Sequence, residues 1–414
     1  MIKDRDYIVG LDIGTTKIAT VIAREGSIGN IEIKGVGTSR SSGLKNGIVV
    51  NMDETTESIK RAMEEAERIA GVQPNEVIVG ISGGHIKTIE STGIVAVTGD
   101  DNVIQKSDVD RVIAQAESIS LPSDREIIHT ISREFIVDHQ VRTSNPVGMF
   151  GKKLEAKVNI VTAALNSAKN IIKCVEKAGY RVCDIVLQSL ASSYAILESD
   201  EKEMGVVLVD MGGGTTDLAV FSNGTLSGTS IIGLGGENIT SDLSRGLKTS
   251  KNVAEEIKLK YGVASSKLLK DKNFLVPVRG AAGWKEKQVS IQIVTNIIEM
   301  RTREILEFAY NELKRNFNTE MISSGVVLTG GTAKLKGIQE VTEEMFNLPV
   351  KVGSPEKGIE GLRDIVQDPA FSTSVGLVKY GIEHKGEVSS TKVAGERFFQ
   401  RILERMKKWF NEQF

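Results

Sequence analysis

Two segments of the chain share one pattern of apolar and polar positions. Residues 7–23 (YIVGLDIGTTKIATVIA) and residues 206–222 (VVLVDMGGGTTDLAVFS) each begin with an apolar run that ends at an aspartate. A glycine-rich turn with paired threonines follows, and a second apolar run rich in β-branched residues comes after it. This order predicts two strand–turn–strand units, and their similarity indicates an internal duplication.

The remaining pattern alternates between helices and strands. Apolar residues recur at helical spacing over 53–71, and an apolar strand (EVIVGIS, 76–82) follows. Before the second unit, NSAKNIIKCVEKAGY, RVCDIVLQ and SLASSYAILES predict a helix, a strand and a helix. After it, GVVLTGGTAKLKGIQEV (325–341) predicts a strand, a glycine turn and a helix. This rhythm is typical of an α/β fold built from two related halves.

Residues 83–162 interrupt this rhythm. The segment is rich in strand patterns, with two long strands predicted near 126–139 and 154–163. One helix is expected to begin at Ser107, with Asp110 three residues later completing a capping box. The interruption predicts an inserted α+β subdomain.

The pattern divides the chain into six parts. Residues 240–324 are mostly helical and charged, with an irregular segment predicted at 270–288, and residues 381–395 are polar and small, as in a linker. We expect two domains, each with a core and a smaller subdomain. The predicted parts are 1–82 with 163–200, the inserted 83–162, 201–239 with 325–380, the helical 240–324, the linker 381–395 and the C-terminal helix 396–414.

Composition narrows the classes of function. With 414 residues, the chain is longer than one hydrophobic core usually supports, so several domains are expected. A hydrophobic content of 40% and a formal net charge of −2 are typical of a soluble globular protein and provide no field that attracts nucleic acid. Cys174 and Cys183 are expected to be core thiols, and the four histidines show no metal-binding spacing. No segment is apolar over the roughly 18 residues of a membrane span, so we expect a cytoplasmic body.

The duplicated turns carry candidate chemistry. Glycines beside aspartate and threonine expose backbone N–H groups that bind anions, and two such turns facing each other are suited to a triphosphate. Asp12 and Asp210 offer the oxygens that hydrated Mg²⁺ prefers. A single Asp-Gly turn often only reverses the chain, but a third glycine turn (LTGG, 328–331) offers bare backbone to a nucleoside. Together the three turns predict binding of a nucleotide with Mg²⁺.

Five motifs together resemble those of the actin-like ATPases. DIGTTK, DMGGGTTD and VVLTGGTAKLKG resemble the two phosphate motifs and the adenosine motif, and two helices rich in small residues resemble the connecting motifs. The resemblance spans nearly the whole chain and implies an actin-like (ribonuclease H-like) two-domain α/β fold with a nucleotide cleft. Within this superfamily the chain resembles the FtsA family, in which such helices, an insertion like 83–162 and a detached amphipathic C-terminus occur together.

The resemblance assigns roles to single residues. Asp12 and Asp210 would position Mg²⁺ through water. Glu255 and Lys258 would flank the adenine and ribose unless they belong to a solvated helix face, and Lys17 would touch a phosphate unless it is only solvated. The residues expected to contact ATP are Gly14, Thr15, Thr16, Lys17, Gly213, Gly214, Thr215, Thr216, Asp217, Gly236, Glu255, Lys258, Gly330 and Gly331.

Hydrolysis of ATP is left open by the sequence. Gln188 begins the first connecting helix, where actin-like ATPases often place a residue that orients the attacking water, and Asp210 is the second expected catalytic residue. The residue type found at this position varies within the FtsA family. The chain either turns over ATP slowly or uses bound ATP only to hold a polymerising conformation.

The C-terminal segment 396–414 has an amphipathic pattern. Its apolar residues recur three or four apart on one helix face, and five basic against three acidic residues leave a charge of +2. A helix docking on its own core would show the same stripe, but the polar linker before it favours an anionic membrane surface. The expected membrane contacts are Phe398, Phe399, Ile402, Leu403, Met406, Trp409 and Phe410.

The FtsA resemblance also implies partners. It predicts a division protein that polymerises with itself and tethers FtsZ filaments to the inner face of the cell membrane at the septum, where later division proteins join. Arg301 and Arg303, beside an apolar helix face, are expected to bind the C-terminal tail of FtsZ unless they are only a solvated basic edge. The alternatives are a PilM-like pilus-assembly adaptor and a small-molecule kinase of the same superfold.

Overall fold

Each strand–turn–strand unit lies within its own β-sheet. The computed structural model describes residues 7–27, 29–98, 100–280 and 285–384. In the first sheet, β1 (Tyr7–Ile13) pairs with β2 (Lys17–Glu25) in antiparallel and with β6 (Glu76–Ile81) in parallel orientation. Three further strands, β3 (Ile31–Arg40), β11 (Arg181–Leu187) and β19 (Ile359–Gly361), complete the order β11-β6-β1-β2-β3-β19. A separate ribbon is formed by β4 (Leu44–Lys45) and β5 (Ile48–Val49).

The second sheet repeats this arrangement. Here β12 (Val206–Met211) pairs with β13 (Thr216–Ser222) in antiparallel and with β17 (Val326–Thr329) in parallel orientation. The outer strands are β14 (Thr225–Ile232) and β18 (Val350–Val352), which give the order β14-β13-β12-β17-β18. Both sheets therefore have the same antiparallel hairpin beside a parallel strand, as the duplication predicts.

The inserted segment forms a sheet of its own. It contains β7 (Lys87–Ala96), β8 (Arg125–Val137), β9 (Val141–Thr143) and β10 (Lys153–Ala164) in the antiparallel order β7-β10-β8-β9. The helix α2 (Lys106–Glu117) packs on this sheet and closes a separate apolar core. The two predicted long strands and the single helix are confirmed.

The predicted start of α2 is wrong. The helix begins at Lys106, and the carboxylate of Asp108, not that of Asp110, accepts a hydrogen bond of 2.9 Å from the backbone N–H of Gln105. Asp108 is fully buried and also contacts Arg111. Because Asp108 is buried and accepts several hydrogen bonds, its position is fixed more firmly than that of Asp110, and the helix therefore begins two residues earlier than predicted.

Helices of the first lobe cover the six-stranded sheet. The helix α1 (Met52–Ala70) begins at the capping side chain of Asn51 and ends at Gly71, whose φ of 69° suits glycine. It buries Ile59, Met63 and Ala66, which recur at helical spacing, whereas Ile69 in the last turn is 40% exposed. The helix α3 (Leu165–Lys177) carries Cys174, which is buried, and both described cysteines are free thiols.

Two helices rich in small residues lie between the lobes. The backbone of α11 (Ser372–Glu383) approaches α4 (Gln188–Ile196) so closely that a Cβ at Gly376 would lie 1.8 Å from the carbonyl oxygen of Ala191. Only glycine permits this contact. The small residues of the two predicted connecting helices are therefore a packing requirement that brings the lobes together.

The second lobe adds a helical region to its sheet. Its helices are α5 (Ser199–Met204), α6 (Gly236–Gly246), α7 (Lys251–Tyr261), α8 (Ile291–Asn316) and α9 (Ile338–Phe346), and a short helix α10 (Arg363–Val366) precedes α11. The segment predicted as irregular contains a two-stranded hairpin of β15 (Leu275–Val278) and β16 (Lys287–Ser290). The expectation of a loop throughout 270–288 is therefore wrong.

The described chain ends soon after α11. This helix continues to Glu383, three residues into the segment predicted as a linker. The rest of that segment and the predicted amphipathic helix at 396–414 lie outside the described residues. Among the helices of 7–384 that the structure describes, none is long and apolar enough to cross a membrane.

Candidate functional site

The two duplicated turns face each other across a cavity of about 1220 Å³. In both turns a glycine N–H bonds a carbonyl three residues later, from Gly14 to Lys17 at 3.1 Å and from Gly212 to Thr215 at 2.9 Å. The turns are in direct contact, because a Cβ at Gly213 would lie 2.4 Å from Oγ1 of Thr16. The glycines of the second turn are thus required for the two lobes to meet.

Three aspartates gather at this contact. Asp12 and Asp210 are the penultimate residues of β1 and β12, and Asp217 is the second residue of β13. Burial and the neighbouring Asp210 raise the pKa of Asp12 to about 7, against the attraction of Lys17. Burial, together with repulsion from Asp210 and Asp12, also raises the pKa of Asp217 to about 7. Buried carboxylates that repel one another favour a bound cation, which removes the cost of their charge.

Side chains from distant parts of the sequence hold the carboxylates in place. Gln188 Nε2 donates to Asp12 Oδ1 at 2.8 Å, and Ser192 Oγ donates to Asp210 Oδ2 at 2.7 Å. Ser82 reaches across from the first lobe and donates to Asp217 Oδ2 at 2.5 Å. Ser82 and Ser192 were not predicted, because a serine in a glycine turn or in a helix of small residues has no pattern that marks it as a ligand.

The donor set fits a hydrated divalent cation. Asp217 Oδ1 is buried and has no hydrogen-bond partner among the described residues, so it can accept from a water or a cation. Within the described ranges, no three histidine, cysteine, aspartate or glutamate side chains are close enough to coordinate one metal ion directly. A cation that keeps its water shell, as Mg²⁺ does, matches oxygens that are near but not converging.

Lys17 is held by the second connecting segment. Its Nζ donates to the carbonyl of Ala370 at 2.6 Å and lies 3.9 Å from the ring centroid of Phe371. Burial lowers the pKa of Lys17, although the carboxylates of Asp12 and Asp368 oppose this shift. Lys17 is partly buried, lines the cavity and lies next to the aspartates, so it is not the fully solvated lysine that the sequence left open.

The other wall of the cavity is built by α6, α7 and the LTGG turn. Lys258 Nζ lies 2.8 Å from Glu255 Oε2 and donates to the carbonyl of Gly236 at 3.1 Å. Gly330 touches the acidic cluster, since a Cβ there would lie 2.4 Å from Asp210 Oδ1. Thr332, which the sequence did not single out, packs against Gly236 and also lines the cavity.

The structure brings most of the predicted cofactor residues to this cavity. Those that line it are Asp12, Gly14, Thr15, Thr16, Lys17, Gln188, Asp210, Gly213, Gly214, Thr215, Asp217, Gly236, Glu255, Lys258, Gly330 and Gly331. Thr216 is fully buried outside the cavity, where its hydroxyl donates to the carbonyl of Leu234 at 2.9 Å. Thr215 lies in the turn before β13 and lines the cavity, whereas Thr216 is the first residue of β13 and its side chain is taken up by the contact with Leu234.

Arg301 and Arg303 lie on α8, away from this cavity. Arg301 Nε is 2.5 Å from Asp242 Oδ2, and Arg303 Nε is 3.2 Å from Glu299 Oε1. The same helix exposes apolar residues that the sequence analysis did not name: Ile293, Met300 and Phe308, with exposed fractions of 50%, 75% and 48%. Because these three residues are separated by seven and eight positions, they share one helix face.

Comparison with known proteins shows which protein family this chain resembles. The family model described as "Cell division protein FtsA" matches residues 207–376, and the model of the SHS2 domain inserted in FtsA matches 83–162. Proteins described as cell division protein FtsA are 40% identical in Pseudomonas aeruginosa, over 100% of this chain and 99% of theirs, and 34% identical in Escherichia coli, over 100% of both.

Solved structures share the fold. The chain resembles one in a PilM–PilN type IV pilus biogenesis complex with a TM-score of 0.67 and 16% identity, over 91% of this chain and 98% of that chain. MreB5 of Spiroplasma citri bound to ADP matches with a TM-score of 0.58 and 14% identity, over 94% of this chain and 100% of that chain. At these identities the likeness concerns the fold alone, and it confirms the predicted actin-like fold with an inserted subdomain.

Proposed function

The chain belongs to the FtsA family of cell division proteins, and from that premise we propose that it binds ATP and Mg²⁺ between its lobes and tethers FtsZ filaments to the cytoplasmic membrane at the division septum. One observation carries the nucleotide part: two glycine turns are in contact, and beside them lie the buried Asp210 and Asp217 and the partly buried Asp12, whose pKa values are all raised by burial. A structure of MreB5 bound to AMPPNP, which has this fold, lends further support.

The acidic cluster is proposed to hold Mg²⁺ through its water shell. Asp12 and Asp210 would accept hydrogen bonds from the metal's waters, and the unpartnered Oδ1 of Asp217 would accept another. When bound, Mg²⁺ neutralises the charge that phosphate groups carry. Because the pKa values of Asp12 and Asp217 are raised to about 7, the cation would displace protons from these two carboxyl groups as it binds.

The turns are proposed to hold the phosphates. The N–H of Gly14 already donates to the carbonyl of Lys17, so the N–H groups of the residues after it would form the anion-binding part together with those of Gly213 and Gly214. The hydroxyl groups of Thr15 and Thr215 lie beside them. Lys17 would contribute a positive charge from its place between the turn and Ala370. Thr216 is left out of the proposed contacts, since its hydroxyl is occupied by Leu234.

The nucleoside is proposed to lie between α7 and the LTGG turn. The ion pair of Glu255 and Lys258 would face one side of it, and the backbone of Gly330 and Gly331 the other. A flat ring needs exposed backbone to approach closely, and glycine provides this surface. Gly236 and its neighbour Thr332 would close the floor of the pocket.

Gln188 and Asp210 are proposed as the residues that serve hydrolysis. Gln188 begins α4 and already donates to Asp12, so its amide oxygen would be available to orient the attacking water beside Asp12. Positioning of this kind suffices for slow phosphoryl transfer. We propose a slow ATPase in which bound ATP mainly stabilises the closed arrangement of the two lobes.

Calorimetric titration with Mg·ATP tests the site. Asp12→Ala and Asp210→Ala should each weaken binding strongly, because each removes a carboxylate that organises the metal's waters. Asp53→Ala is the matched control, since the Asp53 side chain is 90% exposed and lies at the start of α1. Undiminished affinity in both cleft variants would refute the proposed placement of the nucleotide.

The exposed face of α8 is the proposed docking site for the FtsZ tail. Met300 lies next to Arg301 and shares its helix face with Ile293 and Phe308, so apolar contacts and a cation stand side by side. An acidic and apolar peptide matches this combination. Arg301 is already paired with Asp242, so the peptide's carboxylate would have to compete for it, and we expect the apolar residues to carry more of the affinity.

Binding of a labelled FtsZ tail peptide distinguishes these contributions. Met300→Glu should weaken binding by at least as much as Arg301→Glu, because it places charge in the centre of the apolar face. Met204→Glu, the same substitution at a methionine of α5 that is 59% exposed, is the control. Equal affinity of the wild type and Met300→Glu would exclude this face as the docking site.

Membrane attachment is proposed for residues 396–414. The basis is the amphipathic sequence pattern, with seven large apolar residues and an excess of basic charge. Self-assembly would place many such segments on one filament and raise the avidity for an anionic membrane without new contacts. A filament-forming structure, the MamK double helical filament, shares the fold with a TM-score of 0.51.

A further inference from the structure

A histidine of the inserted subdomain reaches the edge of the first lobe's sheet. His129 lies in β8, and its Nε2 accepts a hydrogen bond of 3.1 Å from the backbone N–H of Leu187. Leu187 is the last residue of β11, and β11 is the edge strand of that sheet. An edge N–H directed away from the sheet needs an acceptor from elsewhere, and His129 supplies it.

This hydrogen bond lies directly beside the nucleotide cleft. Leu187 is the N-cap residue of α4, whose first residue is Gln188, and its own side chain does not cap the helix. Gln188 in turn donates to Asp12 at 2.8 Å. One peptide unit and two hydrogen bonds therefore separate the imidazole of His129 from a carboxylate of the acidic cluster.

Aromatic packing fixes the orientation of the imidazole. The ring of His129 stands edge-on to Tyr380, with 6.4 Å between centroids, and Tyr380 stacks on His384 at 4.2 Å. Tyr194 of α4 meets Tyr380 edge-on at 5.6 Å. Burial and the nearby His384 lower the pKa of His129 to about 4, so the ring is neutral near pH 7 and its Nε2 can accept. The cluster joins the inserted subdomain to both connecting helices.

We propose that His129 is a positioning residue for the nucleotide site. By holding the Leu187 N–H, it fixes the start of α4 and thereby aims Gln188 at Asp12. A shift of the inserted subdomain is transmitted by this contact to the cleft, and a change at the cleft is transmitted back. The proposal rests on the proposed function of the same cleft, because it needs Gln188 to act there.

A purely structural role for His129 makes a different prediction. If the ring only fills space between β8 and α11, then any side chain of similar size preserves the cleft, whether or not it can accept a hydrogen bond. If the ring positions Gln188, the acceptor matters and the effect passes through Gln188. His129→Met and His129→Gln separate the two cases, since both are unbranched and similar in size but only glutamine has an oxygen acceptor.

A double-mutant cycle with Gln188→Met tests the coupling in the full-length protein. Affinity for Mg·ATP is measured by calorimetry, and the rate of ATP hydrolysis is measured in single-turnover reactions. We expect His129→Met to lower the affinity for Mg·ATP or the single-turnover rate about five- to tenfold, which corresponds to the loss of one buried hydrogen bond. His129→Gln should keep most of the wild-type value of the same quantity. In the Gln188→Met background, His129→Met should have no further effect.

Each result of this cycle has its own meaning. Wild-type values in His129→Met, or losses that multiply with those of Gln188→Met, would overturn the role of His129. No change in Gln188→Met alone would overturn the role of Gln188 and the His129 proposal with it, whereas a wild type that does not bind Mg·ATP would refute the proposed function. Should His129→Met fail to fold, as judged by thermal melting, His129→Asn, whose amide is too short to reach Leu187, takes its place in the cycle.

Discussion

The contact between the two glycine turns makes the cleft sensitive to one methyl group. A Cβ at Gly213 would lie 2.4 Å from Oγ1 and 2.5 Å from Cγ2 of Thr16, whereas ordinary contact begins at 3.4 Å. Gly213→Ala therefore has to push the turns apart by about 1 Å, or to displace the Thr16 side chain from its place. Either change opens the site where the phosphates are proposed to lie.

The cost of this change follows from the overlap. Overpacking by a methyl group in a close contact costs about 1–3 kcal/mol. If the cost falls on the closed arrangement that binds the nucleotide, affinity for Mg·ATP should drop by a factor of about 5 to 150. Folding should be much less affected, because the turns lie at the surface of the cleft and not within either apolar core.

Calorimetry on four variants checks this reasoning. Gly84→Ala is the control, because nothing lies within 4 Å of a Cβ added at that position. Gly213→Ala is compared with the wild type, and the double variant with Thr16→Ala alone, because Thr16 is itself expected to contact ATP. Thr16→Ala removes the two closest atoms of the opposing side chain, so Gly213→Ala should cost less affinity in that background. Affinity equal to that of the wild type in Gly213→Ala, or an equal loss in both backgrounds, would refute the close contact of the turns.

Three further predictions concern the cleft, the inserted subdomain and the tail. Asp12 and Asp217 lose their protons near pH 7, so calorimetry should show affinity for Mg·ATP rising between pH 5.5 and 7.5. Each proton that binding displaces contributes up to about a tenfold rise per pH unit, and Asp217→Asn should give a shallower rise. Asn159 is fully buried and donates to two carbonyl groups of β14 at 2.9 and 2.8 Å, so Asn159→Leu should lower the free energy of unfolding by about 1–3 kcal/mol in chemical denaturation. Trp409→Glu with Phe410→Glu should release the protein from anionic vesicles in co-sedimentation while ATP binding persists; continued pelleting would contradict the role of the tail.

Much of the cleft was predictable because its backbone parts repeat. Each turn follows a buried strand and carries aspartate, glycine and threonine in one order, so a single comparison within the chain revealed both lobes and Asp12 with Asp210. The supporting side chains had no such signal. Ser82 and Ser192 approach the cluster from separate segments, and their partners are set by the packing of the lobes, which no local pattern encodes.

The wrong predictions also have local causes. The start of α2 was misplaced because two aspartates, at 108 and 110, compete for one cap, and burial against Arg111 decides between them. The β15–β16 hairpin was missed because its strands have only four residues each and one contains Pro277, which is tolerated in a strand at an edge. Short edge strands of this kind carry little periodicity.

The most direct test of the tethering function measures FtsZ on membranes. Purified FtsZ filaments are mixed with anionic vesicles and sedimented with or without the full-length chain and Mg·ATP. FtsZ should pellet with the vesicles only when the full-length chain and Mg·ATP are both present. A chain ending at Gly395 should leave FtsZ in the supernatant. FtsZ that stays in the supernatant while the full-length chain pellets with Mg·ATP, or that pellets equally with the shortened chain, would contradict the account.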